Sequence, residues 1–274
     1  MRSTPLTQAM IYAMLFLAAM GVILPLWVAL SSSLVPSADV FNPPLNLIPL
    51  HFQPQNYADV LRQVPVARFL TNSVVQSTVV TLGQLVTASL AAYAFAFIEF
   101  RGRNVLFFLF LATLMIPWEV TIIPNYQTVR ALHWTDTFQG LTSPFLATAF
   151  GTFLLRQSFM TLPRDLYDAA IMDGASHLRY LLTIVLPLSR PALGTLAIYA
   201  FVNTWNQFFW PLLVTNDVNM RTVQIGISML QQEEATQWNI VMAGAVLALI
   251  PTFALLILGQ KQLIRGLTAG ALKG

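Results

Sequence analysis

Three carboxylates stand close together in one polar stretch of an otherwise apolar sequence. Asp165, Asp168 and Asp173 all lie within residues 162–176. Carboxylates in such a group can form charge-assisted hydrogen bonds with Arg or Lys of another protein. Asp165 and Asp168 would also complement the positive end of a helix dipole, and this capping role alone would explain them. The stretch therefore indicates either a contact surface or a capped connector.

The residues around these carboxylates predict a short helix. Pro163 suits a first helical turn, where its missing N–H costs nothing, and Gly174 suits a left-handed stop. We expect a helix over about 164–173, lying outside the bilayer. Ala169 and Ala170 would give it a slim surface that another protein could approach closely.

A second cluster of polar residues lies within an apolar segment further along the chain. Asn203 and Gln207 are four residues apart and would share one face of a helix, with Thr204 and Asn206 beside them. Amides in hydrocarbon are costly unless they are paired, so this face should meet protein or water. The pattern predicts either hydrogen bonds between helices or the lining of a pathway for a hydroxyl-rich solute. Trp205 fits packing or lining.

Other signals lie near the outer ends of two predicted membrane segments. Glu119 stands between Pro117 and Pro124, either as a water-exposed end residue or at the outer mouth of a pathway. Pro211 should bend or end its helix, and Trp210 suits the aromatic belt at the membrane interface.

The composition indicates that lipid surrounds most of the chain. The 274 residues are 56% hydrophobic and only 9% charged, whereas soluble domains carry about a quarter charged residues. The sequence contains no cysteine, which excludes disulfides, thiol catalysis and cysteine metal sites. His51, His133 and His177 are far apart in polar connectors, so no zinc or non-haem iron site is expected. Nucleic acid is not an expected partner.

Windows without charge predict an all-α, polytopic membrane protein with six spans, since about 20 apolar residues cross a bilayer. The first span, about Ala9 to Ser31, is interpreted as a retained helix and not a cleaved signal. The six predicted spans are about 9–31, between 68 and 99, 104–124, between 136 and 156, between 190 and 217, and between 234 and 261.

The distribution of basic residues predicts that both termini are cytoplasmic. With the N-terminus inside, ten Lys and Arg fall on the inner side and four on the outer side, as the positive-inside rule requires. The polar stretch at 162–176 then faces the cytoplasm. The proline-rich outer connector, about 32–68, allows a short surface helix at 56–61 and is either a simple lid or a docking surface for an external partner.

The polar stretch also resembles a known motif. Eight residues separate its two parts, and the motif residues are Asp168, Ala169, Ala170, Ile171, Met172, Asp173, Gly174 and Ala175, followed by Ile184, Val185, Leu186 and Pro187. This pattern is similar to the EAA loop of permeases of binding-protein-dependent ABC importers. Residues 115–117, 205–206, 211–212 and 266–274 resemble the carbohydrate-uptake branch. Residues 115–120, 159–163 and 237–239 look closest to its glycerol-3-phosphate members.

The resemblance implies a fold and a set of partners. It implies one permease domain over 1–274 with the type I ABC importer permease fold, in the inner membrane of a bacterium. A cytoplasmic loop at about 161–190 would form a coupling helix in a cleft on a cytoplasmic ABC ATPase dimer, which binds the ATP and magnesium. This chain would bind no cofactor itself. A second, homologous permease and an extracytoplasmic solute-binding protein complete the implied assembly.

The resemblance also assigns residues. Contact with the ATPase is expected of Asp168, Ala169, Ala170, Asp173, Gly174, Ala175, Ile184, Leu186 and Pro187, and of the tail at about 261–274. The loop at 216–237 would face the binding protein. A translocation pathway for a sugar or glycerol phosphate is expected along Glu119, Asn203, Trp205, Asn206 and Gln207. The family usually has glutamate where this chain has Asp168, whose reach is shorter by one methylene.

Two other functions are compatible with a polytopic chain. A stand-alone carrier or channel usually places charged or broken helices at mid-membrane, where only Glu119 is a candidate. An intramembrane enzyme needs convergent nucleophiles, bases or metal ligands, which the scattered histidines do not provide. The chain is not expected to hydrolyse ATP, because neither Lys261 nor Lys273 lies in a glycine-rich phosphate-binding loop.

Overall fold

Helices are the regular structure throughout the described residues. The computed structural model describes residues 5–41, 48–49, 51–231 and 236–268, with side chains as far as residue 260. The predicted all-α class is confirmed for this part of the chain. In order, the helices are α1 Pro5–Ser32, α2 Gln55–Gln63, α3 Val66–Phe97, α4 Arg103–Ala112, α5 Trp118–Ala131, α6 Phe138–Thr142, α7 Ala149–Phe159, α8 Arg164–Met172, α9 His177–Tyr180, α10 Leu186–Leu188, α11 Arg190–Trp205, α12 Phe209–Val214, α13 Val223–Ser228 and α14 Trp238–Thr268.

Three of these helices are long and apolar enough to cross a membrane. They are α1, α3 and the part of α14 from Trp238 to Gln260, and they correspond to the first, second and sixth predicted spans. α1 is apolar on all sides, and no residue of its most apolar window is buried within the chain. Such a helix is stable only where lipid or another protein surrounds it.

The third predicted span is broken in its middle, so the prediction of one helix over 104–124 was wrong. After α4 the chain makes a 3-10 turn at Thr113–Met115, and Ile116 is extended with φ −85° and ψ 113°. A residue that precedes proline is driven out of the helical region, and Pro117 has this effect here. α5 then leaves at 96° to the preceding segment.

The fourth and fifth predicted spans are also interrupted. The chain between 136 and 156 divides into α6, a 3-10 turn at Ser143–Phe145 and the start of α7. In the fifth, α11 ends at Trp205 and Pro211 lies inside α12. The predicted break at Pro211 was therefore misplaced, because proline is tolerated in the first turn of a helix. Among the described residues, at most five spans result if each bent pair is one span.

The chain divides into two compact units, of which the first comprises residues 1–68 and 225–250. Within it, the predicted short helix at 56–61 is confirmed as α2. Asn56 is 1% exposed, and its amide nitrogen donates to the carbonyl oxygens of Ser33 and Val35, each at 2.9 Å. Its oxygen accepts a hydrogen bond of 3.0 Å from Asn239 Nδ2. This buried amide fixes α2 in its unit.

The second unit comprises residues 69–224 and 251–274 and contains two apolar clusters. The larger cluster has as its buried members Ala88, Ala92, Tyr93, Leu155, Phe159, Ala170, Tyr180, Leu181, Val185, Ala192 and Leu196. The smaller is centred on Trp210, which is 1% exposed and donates a hydrogen bond of 3.1 Å to the carbonyl oxygen of Gly140. The prediction that Trp210 belongs to an interfacial belt was therefore wrong, since the ring packs inside the unit.

Candidate functional site

The polar stretch forms α8, a helix of nine residues that begins and ends at the predicted signals. Pro163 precedes it with φ −59° and ψ 134°, and Asp165 lies in its first turn. At its end the N–H of Gly174 donates to the carbonyl oxygen of Ile171, and the N–H of Ala175 donates to that of Ala170, both at 2.9 Å. This pair of bonds is a Schellman motif.

The Schellman motif depends on Gly174. Its φ of +75° lies in the left-handed region, which costs other L-residues about 1–2 kcal/mol. A Cβ at this position would meet nothing within 4 Å, so the constraint comes from the backbone alone. The chain can therefore turn sharply out of α8 and return to the apolar cluster through Ala175.

α8 has a buried side and an exposed side. Ala170 is 6% exposed and belongs to the larger apolar cluster, against which Ala175, Ile184 and Leu186 also pack. Several side chains of α8 are exposed, and we call four exposed residues at its C-terminal end, Asp168, Ala169, Met172 and Asp173, the docking face. Ala170 thus contributes to internal packing, whereas Ala169 remains on the accessible side. The docking face offers two carboxylates, a small residue and one long apolar side chain.

An aromatic brace holds α8 and α9 to the end of α3. Tyr93 OH and His177 Nδ1 are 2.9 Å apart. Tyr167 of α8 stacks on Phe97, with ring centroids 5.8 Å apart and planes at 17°, and on His177 at 6.3 Å and 24°. Tyr180 is fully buried edge-on against Phe97 at 5.5 Å. A displacement of the docking face would therefore act directly on α3.

The second half of the motif forms an unusual turn. Between α9 and α10 the backbone adopts a π-helix at Leu181–Val185, a form that is rare and often found at functional sites. Pro187 follows the π-helix after one residue, Leu186, and in a regular helix its ring would clash with the carbonyl group of Thr183. The wider π-turn relieves this clash. α11 then continues from Arg190 at 83° to the preceding segment.

A cleft of about 670 Å³ opens beside α8 and carries charges of both signs. Glu99 and Asp168 line it together with Arg103 and Arg164. Asp168 is therefore both a member of the docking face and a wall residue of the cleft. Groups of three or more His, Cys, Asp or Glu that could hold a metal ion are absent from the described part of the chain.

The residues predicted for a pathway lie at two helix breaks. Glu119 is exposed in the first turn of α5, directly after the break at Pro117. Asn206 and Gln207 follow the end of α11, so Asn203 and Gln207 do not share one continuous helical face, as the spacing had predicted. Trp205 is 2% exposed and stacks on Phe201 at 5.7 Å and 15°, which makes it a packing residue in this conformation.

A stripe of buried and half-buried polar side chains on α3 was not predicted from the sequence. Asn72 donates to the carbonyl oxygens of Asn219 and Arg221, and Gln76 to that of Leu141. About two and three turns after Gln76, Gln84 donates to the carbonyl oxygen of Phe145 at 2.9 Å, and Thr87 to that of Leu146 at 2.8 Å. The signal was present as polar residues at helical spacing within an apolar window.

This stripe satisfies the irregular backbone of the broken spans. At membrane depth, non-helical backbone is tolerated only where protein or a water-filled cavity covers it. The carbonyl groups of Leu141, Phe145 and Leu146 lie where α6 gives way to the 3-10 turn and α7, and each accepts a side-chain hydrogen bond from α3. α3 is therefore the support on which the interrupted segment rests.

Two segments of the predicted site lie partly outside the described residues. Residues 269–274 of the predicted tail lie outside the described residues, and residues 261–268 are described only as helical backbone of α14. Residues 232–235 of the predicted outer loop at 216–237 also lie outside them.

Comparison with known proteins gives matches over most of the chain. The family model described as "Binding-protein-dependent transport system inner membrane component" matches residues 84–268. The sn-glycerol-3-phosphate transport system permease protein UgpE of Yersinia enterocolitica is 40% identical over 264 residues, which cover 93% of this chain and 94% of the relative. UgpE of Agrobacterium fabrum is 37% identical over 272 residues, covering 96% of each.

Two solved structures share the fold. A chain of a bacterial ABC transporter involved in the import of the acidic polysaccharide alginate matches with a TM-score of 0.83 and 24% identity, covering 95% of this chain and 98% of that one. A chain of the alginate transporter in complex with a pentasaccharide-bound periplasmic protein matches with a TM-score of 0.65 and 13% identity, covering 91% and 92%. At these identities the likeness establishes the fold alone.

Proposed function

The chain belongs to the family of binding-protein-dependent transport system inner membrane components, and from this premise we propose that it carries sn-glycerol 3-phosphate or a related sugar solute across the membrane. It is the permease subunit of an ABC importer and a multi-pass membrane protein. The proposed solute follows from the UgpE relatives at about 40% identity over almost the whole chain.

The observation that best supports a coupled importer is the construction of α8. Its docking face is exposed, whereas Ala170 and Tyr167 tie its other side to the apolar cluster and the aromatic brace. A loop that merely joined two spans would need no such brace. We propose that an ABC ATPase dimer binds the docking face and that Gly174, Ala175, Ile184, Leu186 and Pro187 hold this face in position. ATP and magnesium would be bound by the ATPase.

The topology of the chain is also part of this proposal. We infer a single permease domain over 1–274 with six spans and both termini in the cytoplasm. Three spans are the long helices, two are the bent helix pairs, and one is the interrupted fourth segment. The excess of Lys and Arg on one side supports this orientation. It places α8 on the side of the ATPase and the loop at 216–237 on the side of a solute-binding protein.

The pathway is proposed along the helix breaks. Glu119, Asn203, Asn206 and Gln207 place polar groups at or beside interruptions of apolar helices. Irregular backbone at membrane depth is expected where a water-filled passage or a partner subunit covers it. A second, homologous permease would close the other side of this passage. Trp205 would support the passage through its buried packing against Phe201.

Reconstitution tests the proposed function. The chain is incorporated into proteoliposomes with the second permease and the ATPase, and uptake of radiolabelled sn-glycerol 3-phosphate is measured with ATP inside and the solute-binding protein outside. We expect uptake only when all four proteins and ATP are present. Uptake by this chain alone would instead identify a stand-alone carrier.

A further inference from the structure

Gln76 connects two interruptions of the membrane helices. It lies on α3 and is 1% exposed. Its amide nitrogen donates a hydrogen bond of 3.3 Å to the carbonyl oxygen of Leu141, in α6, and one of 3.0 Å to Oε1 of Gln207. Gln207 follows the end of α11. One side chain therefore reaches positions that are 65 and 131 residues away along the chain.

These contacts determine which end of each amide faces which neighbour. A backbone carbonyl group can only accept a hydrogen bond, so the group that Gln76 turns toward Leu141 must be its –NH₂. The same –NH₂ also reaches Gln207, which must therefore present its oxygen. It follows that the –NH₂ of Gln207 is directed away from Gln76. The hydrogen-bond network therefore decides which amide atom of Gln76 and of Gln207 is nitrogen and which is oxygen.

The –NH₂ of Gln207 is available for a further contact. Within the described residues, its amide nitrogen has no hydrogen-bond partner, and the side chain is only half-buried. An unpaired donor costs free energy in hydrocarbon, so water or a polar molecule should meet it. The end of α11 thus presents the –NH₂ donor of Gln207, and the hydrogen bond from Gln76 to the oxygen of Gln207 sets its direction.

The last turn of α11 carries a second amide of fixed polarity. The Nδ2 of Asn203 donates a hydrogen bond of 2.9 Å to the carbonyl oxygen of Tyr199. Because that carbonyl group only accepts, the exposed Asn203 turns its oxygen outward as an acceptor. Asn203 and Gln207 therefore offer one acceptor and one donor, both neutral. A hydroxyl group can donate to the oxygen of Asn203 or accept from the –NH₂ of Gln207.

We propose that Gln76 is a positioning residue that holds the –NH₂ of Gln207 toward the passage, where it donates a hydrogen bond to a hydroxyl oxygen of the translocated solute. The inference rests on the proposed function and adds that this subunit recognises the polyol or sugar part of the solute. Gln76 acts through Gln207 and does not touch the solute.

The first test compares three glutamines in the reconstituted importer. Gln207→Met removes the –NH₂ donor, and Gln76→Met removes the hydrogen bond that orients this donor. Gln84→Met is the matched control on the same helix, because Gln84 donates to the carbonyl oxygen of Phe145 and does not contact Gln207. We expect the apparent KM for sn-glycerol 3-phosphate to rise roughly three- to tenfold in the first two variants, the effect of one neutral hydrogen bond. Vmax per transporter should change little.

The control and the contradicting results are defined as follows. Gln84→Met should leave KM close to the wild-type value. An unchanged KM in Gln207→Met, or an equal rise in all three variants, would show that Gln207 is not held toward the solute. If the wild-type importer takes up no sn-glycerol 3-phosphate, the proposed solute fails and the second test decides the inference.

The second test does not depend on the solute. Because the sequence contains no cysteine, Gln207→Cys and Thr204→Cys each provide a single thiol. Thr204 is 3% exposed and serves as the buried control. We expect a water-soluble methanethiosulfonate to modify the Gln207→Cys protein in membranes much faster than the Thr204→Cys protein. Equally slow modification of the two would show that Gln207 does not face an aqueous passage, and the inference would fall.

Discussion

Gly174 is the residue on which the shape of the docking helix depends most. Its left-handed φ allows both bonds of the Schellman motif, and these bonds bring Ala175 back to the apolar cluster. Since nothing occupies the space around a Cβ at this position, a substitution would act through the backbone and not through a clash. Its effect should therefore be local to the end of α8.

We expect Gly174→Ala to cost about 1–2 kcal/mol at this turn and to displace the docking face. Membrane insertion should be unchanged, whereas the number of ATP molecules hydrolysed per solute imported should rise. The measurement is the ratio of ATP hydrolysis to uptake in proteoliposomes. Gly102→Ala is the matched control, because Gly102 also has a positive φ, +82°, with nothing within 4 Å, but lies outside the docking face. An unchanged ratio in Gly174→Ala would contradict the role of this turn.

Asp168 tests whether charge contributes to the docking face. Its carboxylate is exposed beside the cleft, where a partner's Arg or Lys could reach it, although its side chain is one methylene shorter than the usual glutamate. An ion pair at the rim of an interface adds little affinity and weakens with salt.

We therefore expect Asp168→Asn to weaken binding of the ATPase by about two- to fivefold at low ionic strength, with a smaller difference at high salt. Binding of the detergent-solubilised chain to the immobilised ATPase measures this. Asp165→Asn serves as a control of equal charge change on the first turn of the same helix. If Asp168→Asn binds as the wild type does at every salt concentration, docking depends on shape and not on this charge.

At the scale of the elements, α3 contributes to both the aromatic brace and the polar stripe. Its C-terminal end carries Tyr93 and Phe97 of the aromatic brace, and its earlier turns carry the polar stripe that supports the interrupted segments. The same rigid helix thus connects the docking face to the breaks at which the pathway is proposed. Packed helices of this kind can transmit a displacement because they do not deform continuously.

Tyr93→Phe should weaken this connection without removing the ring. The variant loses the hydrogen bond to His177, which contributes about 0.5–1.5 kcal/mol, and keeps the ring contact with Phe97. We expect a slightly lower midpoint of thermal unfolding and a lower yield of solute per ATP. Tyr199→Phe is a suitable comparison, since Tyr199 lies on α11 away from the brace. Identical yields of solute per ATP in Tyr93→Phe and the wild type would show that the hydroxyl bond plays no part in coupling.

The sequence predicted α8 closely because its signals are local. Pro163 and Gly174 define where the helix begins and ends through their own backbone preferences. The break after Trp205 was not predicted, because residues 206–208 contain neither glycine nor proline. Just after that break, the side chain of Gln207 bonds to a distant residue, Gln76, and contacts of this kind are not visible in a local pattern.

Burial explains the other differences between prediction and structure. Trp210 fits an interfacial belt by type, but its N–H finds the carbonyl oxygen of Gly140, so the ring packs inside its unit. Ala170 was expected on a contact surface with Ala169, but its side chain is buried against the apolar cluster. Periodicity identified the helices, whereas the choice of face depended on tertiary neighbours.

At the scale of the whole molecule, the proposed topology makes a prediction that the cysteine-free sequence allows to be tested cleanly. Ala169→Cys places a thiol on the docking face, and His133→Cys places one after α5 on the proposed outer side. A membrane-impermeant maleimide should label the His133→Cys protein in intact cells and the Ala169→Cys protein only in inverted vesicles. The reverse pattern would place both termini outside.

The polar stripe has a consequence for biosynthesis. Ribosomes deliver the chain from its N-terminus, so α3 enters the membrane before α6, α7 and the residues after α11. The α3 side chains are therefore already in the membrane when these segments leave the translocon. They can donate hydrogen bonds to the carbonyl groups of Leu141, Phe145 and Leu146 as soon as these arrive. If the gene were rearranged so that α3 is synthesised last, these segments would enter the lipid before the hydrogen-bond donors of α3 are present. Such a chain should be degraded during insertion, although every contact of the finished protein remains available to it.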